Sequence, residues 1–527
     1  MSPLDFGVLG AYALALVLLS AALARGQASA DDYYVGGRRL PWWALGVSTL
    51  ATQSSANSFI GIPAFVALVP GGGLTWLQYE LALPLAMLIV MGVFVPVFRG
   101  LGLVSIYEYL ERRFDRATRR WLSGVFLVSR ALATGVALYA AALVLQVCTG
   151  LPLVWCIVGM GVLTVLYDLL GGMRAVVWSD VLQMIVLLAG LLACLGVALD
   201  AVGGWAGVVD QVEPQRWATI GPGHGIGDGA RAPLWGFVLG GLVLYVAYYG
   251  VDQSHVQRQL SAHSVAQAQK VLLLNGLARF PLTLLYAALG LALAAVWAND
   301  AALRAAVPAG RPDELVPRFI TLHLPVGVRG LVVAALLAAA MSSLDSALNS
   351  LSAASLRDFG PQAKSPRAAL RQSRLCTLAW GFVIVAVALL AGDLARGVVE
   401  AINRVGALFY GPLVAAFACG ILDRRATGLG VRAGVVAGLG LNLLLWWGLG
   451  SQLFWMWWNV SGLLAAVAVT TLVSRWRTTA APGPTLPVLP LTPSKRPRPI
   501  ELRGAAVVLL AATTVMVVVM LALGRAA

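Results

Sequence analysis

Apolar stretches long enough to cross a hydrocarbon layer recur along the whole chain, and nothing else in the sequence limits the fold as strongly. One helical crossing needs roughly 20 mostly apolar residues. Fourteen such stretches can be marked: 4–24, 42–69, 74–98, 121–148, 151–170, 175–199, 233–254, 270–297, 327–356, 372–391, 395–420, 430–450, 451–473 and 503–524. The last boundary inside the set, between the twelfth and thirteenth, rests on Gly448 to Gln452 alone. With 59% hydrophobic and 11% charged residues, the chain lies far from a water-soluble composition. A backbone in lipid must satisfy its own polar groups, and runs of this length do so as helices. The expectation is an all-α integral membrane protein of about 14 transmembrane helices.

The net charge of +14 would fit a nucleic-acid binder, but its distribution argues otherwise. With the N-terminus outside, 26 of the 37 Lys and Arg fall in inside loops and 8 outside, with Arg130, Arg279 and Arg404 within spans. The densest inside loop, Arg99 to Arg120, carries six arginines. This is the positive-inside bias of a multi-pass protein of the plasma (inner) membrane, and it makes both termini external. The first span lacks a basic leader and a small-residue cleavage site, so it reads as an anchor helix. Cys148, Cys156, Cys194, Cys376 and Cys419 have no metal-ligand spacing and read as packing residues.

Two spans are too polar for lipid. In the ninth, Ser342, Asp345, Ser346 and Asn349 stand at i, i+3, i+4 and i+7 and share one helical face, with Ser343 beside them. A carboxylate at that depth demands a partner. Hydroxyls and a carboxylate are hard oxygen ligands that suit a small alkali cation. In the second, eight of the eleven residues from Ser48 to Ser58 are polar, more than one face can hide. A helix unwound around Ala51 to Ala56 would free carbonyls for an ion and set Gln53, Asn57 and Ser58 against a solute. The alternative is a regular helix packed by small residues.

Spans 2–6 and 7–11 form two runs of five, each opening with an interrupted span. Because five is odd, the second run is inverted in the membrane. Paired interrupted segments point to an inverted-repeat transporter with a midplane site. The expected organisation is a peripheral helix and loop (1–41), a first repeat (42–199), an external loop (200–232) and a second repeat (233–420). Two peripheral helices (421–473), a basic Pro-rich linker (474–502) and a last helix (503–527) follow.

Four stretches together resemble the sodium/solute symporter family, the sodium-coupled carriers of sugars, proline, sialic acid, pantothenate, iodide and monocarboxylates. They are the polar run Ala51 to Gly61, Gly171-Gly-Met-Arg-Ala-Val-Val-Trp-Ser-Asp-Val-Leu-Gln183, Asp252-Gln-Ser-His-Val-Gln-Arg258 and Met341-Ser-Ser-Leu-Asp-Ser-Ala-Leu-Asn349. The resemblance covers about residues 1–475. It implies a LeuT-type five-helix inverted repeat with extra N- and C-terminal helices, and coupling to one or two Na+. The family's common sodium site falls on the carbonyls of Ala51, Ser54 and Ala339 and the hydroxyls of Ser342 and Ser343. A second cation site of some members falls on Asp180, Ser342, Asp345 and Ser346. Asp345 departs from the hydroxyl found there in such members, so a second carboxylate either tightens a cation or takes up a proton. Solute contacts of the sugar carriers fall on Glu80 and Tyr248, with Arg279 in place of a lysine and Arg404 in place of a glutamine. Two guanidiniums against one carboxylate favour an anionic solute, unless Glu80 or Glu400 bridges them structurally. Arg130 reads as a buried salt bridge or a snorkelling side chain.

An enzyme is not expected. All four histidines lie outside the spans or at their edges, and there is no HExxH. A sensor built on a transporter fold would carry a signalling domain after the last helix, where the sequence stops at Ala527. A plain channel would not need a substrate-sized polar centre beside an ion site. The sequence therefore predicts a sodium-coupled symporter of a small, anionic organic solute, embedded in lipid, with no nucleic acid and no obligate protein partner. Import of a neutral sugar or amino acid is the alternative.

Overall fold

The computed structural model describes residues 1–24, 27, 29–221, 233–361, 363–394, 398–476 and 499–525. The side chains of 392–394, 398–405, 451 and 499–501 lie outside that description. All regular structure among the described residues is helical. Among the described residues ten helices are long and apolar enough to cross a membrane. The remaining predicted spans are the broken or shorter helices described next.

Helix α1 (Pro3–Leu23) begins at a Ser2 capping box and keeps most of its surface outward, as a lipid-facing helix would. The polar second span is two helices, α2 (Trp42–Gln53) and α3 (Ala56–Ala67). Between them Ser54 (φ −89°, ψ 68°) and Ser55 (φ −73°, ψ 168°) leave helical geometry. The last carbonyls of α2 and first amides of α3 thus lack intrahelical partners. The sequence places the unwinding at Ala51 to Ala56, and the structure breaks the chain inside that window.

The stretch α4 (Gly73–Gly100) mixes tight, regular and wide turns. Helix α5 (Arg116–Thr149) is capped by Asp115. The fifth and sixth spans run together as α6 (Leu153–Val202), sharply bent at Gly172 (φ 51°, ψ −149°). A Cβ at Gly172 would stand 2.6 Å from the carbonyl oxygen of Tyr33, so only glycine fits both the dihedral and the contact.

The second repeat opens as the first does. Helix α7 (Gly241–Gly250) stops at Val251 and Asp252, and α8 (Gln253–Leu260) restarts with the Asp252 side chain accepting from the Ser254 amide at 2.8 Å. Although six of its eight residues are polar or charged, all eight are buried. Helices α9 (Val265–Asn299), α10 (Val328–Asp358), α11 (Pro366–Leu394) and α12 (Val398–Leu422) complete the repeat. Helices α13 (Gly428–Leu449), α14 (Trp457–Trp476) and α15 (Pro499–Arg525) follow. Of the ten long helices α10 is the most buried, and it packs chiefly along α6, α5 and α1.

Candidate functional site

The polar face of α10 meets the break in α2. The Ser343 hydroxyl donates to the carbonyl of Thr52 at 2.8 Å, and the Ser346 hydroxyl lies 3.0 Å from Thr52 Oγ1. Helix α10 is thereby hydrogen-bonded to the last turn of the broken helix. The predicted sodium-site carbonyls divide. That of Ala51 accepts from the Ser54 amide at 3.0 Å, that of Ser54 has no donor among the described residues, and that of Ala339 lies within the unbroken ladder of α10. The Ser54 hydroxyl folds back onto the Leu50 carbonyl at 2.8 Å. Ser342 turns the other way and donates to Asp180 at 2.5 Å. Its hydrogen is committed there, and its lone pairs stay available to a cation.

Asp180 is fully buried, not solvated at an interface. Its second oxygen accepts from Ser48 at 2.5 Å and from Arg258 Nη2 at 2.9 Å. Arg258, also fully buried, donates further to Ser48 Oγ at 2.6 Å, to the Ser254 carbonyl at 2.6 Å and to Ser346 Oγ. One guanidinium therefore links α8, α2, α6 and α10. Asp345 accepts from the Tyr167 hydroxyl at 2.7 Å and from Ser346 Oγ at 3.1 Å. Asp168 is buried, and neither of its carboxylate oxygens has a hydrogen bond among the described residues. Asp168, Asp180 and Arg258 all act electrostatically on Asp345. Three buried carboxyl groups thus lie around one guanidinium, an arrangement that can take up a cation or a proton.

Asn349, the last polar residue of the α10 face, accepts from Gln257 Nε2 at 2.7 Å. The four face residues read from spacing therefore do converge, onto α2, α6 and α8. Arg258 itself is the member sequence reasoning left without a role. It lies in a polar run just after the predicted seventh span, and only the folded chain shows that run buried.

A second polar centre lies beyond the break. Arg279 is buried, with Nε 3.5 Å from Glu80 and Nη1 3.4 Å from the Gln53 carbonyl. Glu80 also accepts from Thr283 at 2.9 Å, and its other oxygen makes no hydrogen bond among the described residues. Tyr249 donates to the Gln53 side chain. The hydroxyls of Tyr245 and Tyr286 are buried without partners among the described residues, and Tyr245 stacks on Tyr79 at 4.5 Å. Of the predicted solute residues, Gln53, Glu80 and Arg279 are brought together here. Tyr248 instead accepts from Tyr410 at 3.2 Å, beside the ring of His255. Asn57 and Ser58 lie on the first turn of α3, half-buried. The side chain of Arg404, like that of Glu400, lies outside the described residues. Arg130 is a salt-bridge residue, with Nη1 3.2 Å from Asp252.

Two broken helices in corresponding positions, with a polar centre where they meet the helices around them, define a secondary transporter of the LeuT type. The sodium:solute symporter family model matches residues 33–438, and the chain belongs to that family. The chain is 33% identical to the human sodium/iodide cotransporter over 85% of its own length and 70% of that protein's. It is 31% identical to the sodium/glucose cotransporter of Vibrio parahaemolyticus over 80% of each. Its fold matches a solved sodium-coupled sialic acid symporter with a TM-score of 0.79 at 26% identity, covering 91% of this chain and 99% of the other. The protein is a multi-pass membrane transporter that couples solute movement to sodium, and not an enzyme.

Proposed function

We propose that the protein imports a small organic anion that bears a carboxylate, together with sodium, by alternating access. The observation that carries the solute class is the state of Arg279. Among the described residues its buried guanidinium makes only long contacts, to Glu80 and the Gln53 carbonyl, and its Nε has no hydrogen bond. A buried guanidinium is stable when acceptors complete it, and a carboxylate offers two in the matching geometry. The hydroxyls of Tyr245 and Tyr286, without hydrogen bonds among the described residues, add donors to the same centre. Arg404, read as a second pocket arginine, strengthens this reading. The relatives named for iodide and sialic acid carry anions. The free oxygen of Glu80 and the glucose-named relative favour the second reading, a neutral solute that gives Glu80 a hydroxyl.

For the ions, we place one sodium at Ala51, Ser54, Ala339, Ser342 and Ser343, where the break between α2 and α3 meets α10. A second cation, sodium or a proton, is placed among Asp180, Ser342, Asp345 and Ser346, where it competes with Arg258 for Asp180. All fourteen spans cross the plasma membrane in this reading, with both termini outside and the repeats at 42–199 and 233–420. The test is competition for uptake between an acid and its amide of equal size. A carboxylate preference lost in Arg279→Gln or Arg404→Gln supports the anion. An amide that competes as well as the acid in the parent refutes it.

A further inference from the structure

The end of the molecule that carries the arginine-rich loops also carries a groove on its lipid-facing flank. Helix α11 contributes Arg367, Leu370, Arg371, Arg374, Leu375 and Leu378, and the end of the first half of α6 contributes Leu169 and Leu170. The three arginines stand at i, i+4 and i+7, so they line one helical face over about 10 Å. Among the described residues no carboxylate pairs with any of them. Among the described residues the buried Nε of Arg374 has no hydrogen bond, and its Nη2 reaches Gln27 at 3.5 Å. The groove encloses about 430 Å³, within the range of small-molecule sites. Leu375 is 54% exposed, and farther along the helix Phe382 and Leu390 are 72% and 67% exposed. An apolar, outward-facing track thus runs away from the three cations toward the middle of the helix.

We propose that this groove holds one anionic phospholipid. Its phosphate sits among Arg367, Arg371 and Arg374, and its acyl chains lie along Leu170, Leu375 and the exposed face of α11. Unpaired arginines at a membrane boundary attract anionic headgroups, and arginine binds phosphate through paired donors. The apolar track selects a lipid over a soluble phosphate, which has nothing to lay on the leucines. Because α11 packs along both α5 and α6, a lipid wedged there joins helices of both repeats.

The experiment is native mass spectrometry of the full chain in detergent, titrated with phosphatidylglycerol or with phosphatidylcholine of the same chains. The parent retains one phosphatidylglycerol at concentrations where phosphatidylcholine is lost. The variant with Arg367→Gln, Arg371→Gln and Arg374→Gln weakens that binding about a hundredfold. A charge-matched control with Arg112→Gln, Arg116→Gln and Arg120→Gln, at the start of α5 and on the short helix before it, changes it by less than about threefold. Leu375→Trp fills the exposed groove and keeps every charge, so it carries the test even where the triple variant does not fold, and it too loses the lipid. Equal weakening in the control shows diffuse attraction and overturns the proposal. So does displacement of the lipid by millimolar inorganic phosphate, or an unaffected Leu375→Trp.

Discussion

Replacing Arg258 with Gln tests the buried charge cluster most sharply. The guanidinium and the Asp180 carboxylate are both inaccessible to solvent. In the variant Asp180 keeps its Ser48 and Ser342 donors but loses its only positive partner among the described residues. Removing one member of a buried ion pair costs about 3–5 kcal/mol. Glutamine restores one hydrogen bond, worth about 1 kcal/mol. The expected net loss is about 3 kcal/mol, a factor of about 150 in an equilibrium constant. Sodium changes that outcome, because with the guanidinium gone a cation can settle between Asp180 and Asp345. Thermal unfolding of purified protein in sodium and in potassium reads both effects. Arg258→Gln should unfold earlier than the parent in potassium and recover part of the loss in sodium. Asp180→Asn should unfold early in both. The double variant should be less impaired than the sum of the singles, with a coupling of about 2 kcal/mol. Additive single effects with identical sodium responses would show that Arg258 and Asp180 do not share a site with a cation.

Ser343→Ala removes the bond from α10 to Thr52 and one proposed sodium ligand, and should weaken the apparent sodium affinity of uptake at least about tenfold. Ser342→Ala should do the same and also disturb Asp180. Unchanged sodium dependence in both would remove the site. Asp345→Ser should lower the sodium Hill coefficient of uptake if a second ion binds beside Asp180; a coefficient and pH profile like the parent's would make Asp345 structural. Gly172→Ala should destabilise the protein by about 1–3 kcal/mol in thermal unfolding, through its positive φ and the clash with Tyr33, and an unchanged midpoint would refute the reading of the bend.

The membrane class, the broken second span and the paired run of five were legible because they depend on local signals. A run of apolar residues is visible without knowing its neighbours, and eight polar residues in the Ser48–Ser58 window forbid an ordinary lipid helix. The face Ser342, Asp345, Ser346, Asn349 was legible for the same reason, since a helix fixes which side chains share a side. The partners of that face were not. Asp180 lies near the inner end of its span in the sequence, and its place came from the family resemblance alone; its burial follows from how α6, bent at Gly172, packs against α2 and α10. Arg258 falls past the end of the seventh span at 254, in a polar run, and its burial comes from helices 78 to 210 residues away in the chain. Tyr249, rather than Tyr248, reaches Gln53 because the helix rotation at the α7 break decides which of two adjacent tyrosines points inward. The pairing of Arg279 with Glu80 was one of two readings open in the sequence, and the fold chooses it by setting α9 against α4.

The central claim is that a sodium ion ties the α2–α3 break to α10. Hydrogen–deuterium exchange of the purified transporter, compared in sodium and in potassium, measures that tie without needing the solute. Peptides covering residues 50–58 and 339–346 should exchange more slowly in sodium than in potassium, and Ser343→Ala should abolish the difference in both. Equal protection by potassium, or sodium protection that survives Ser343→Ala undiminished, would contradict the account.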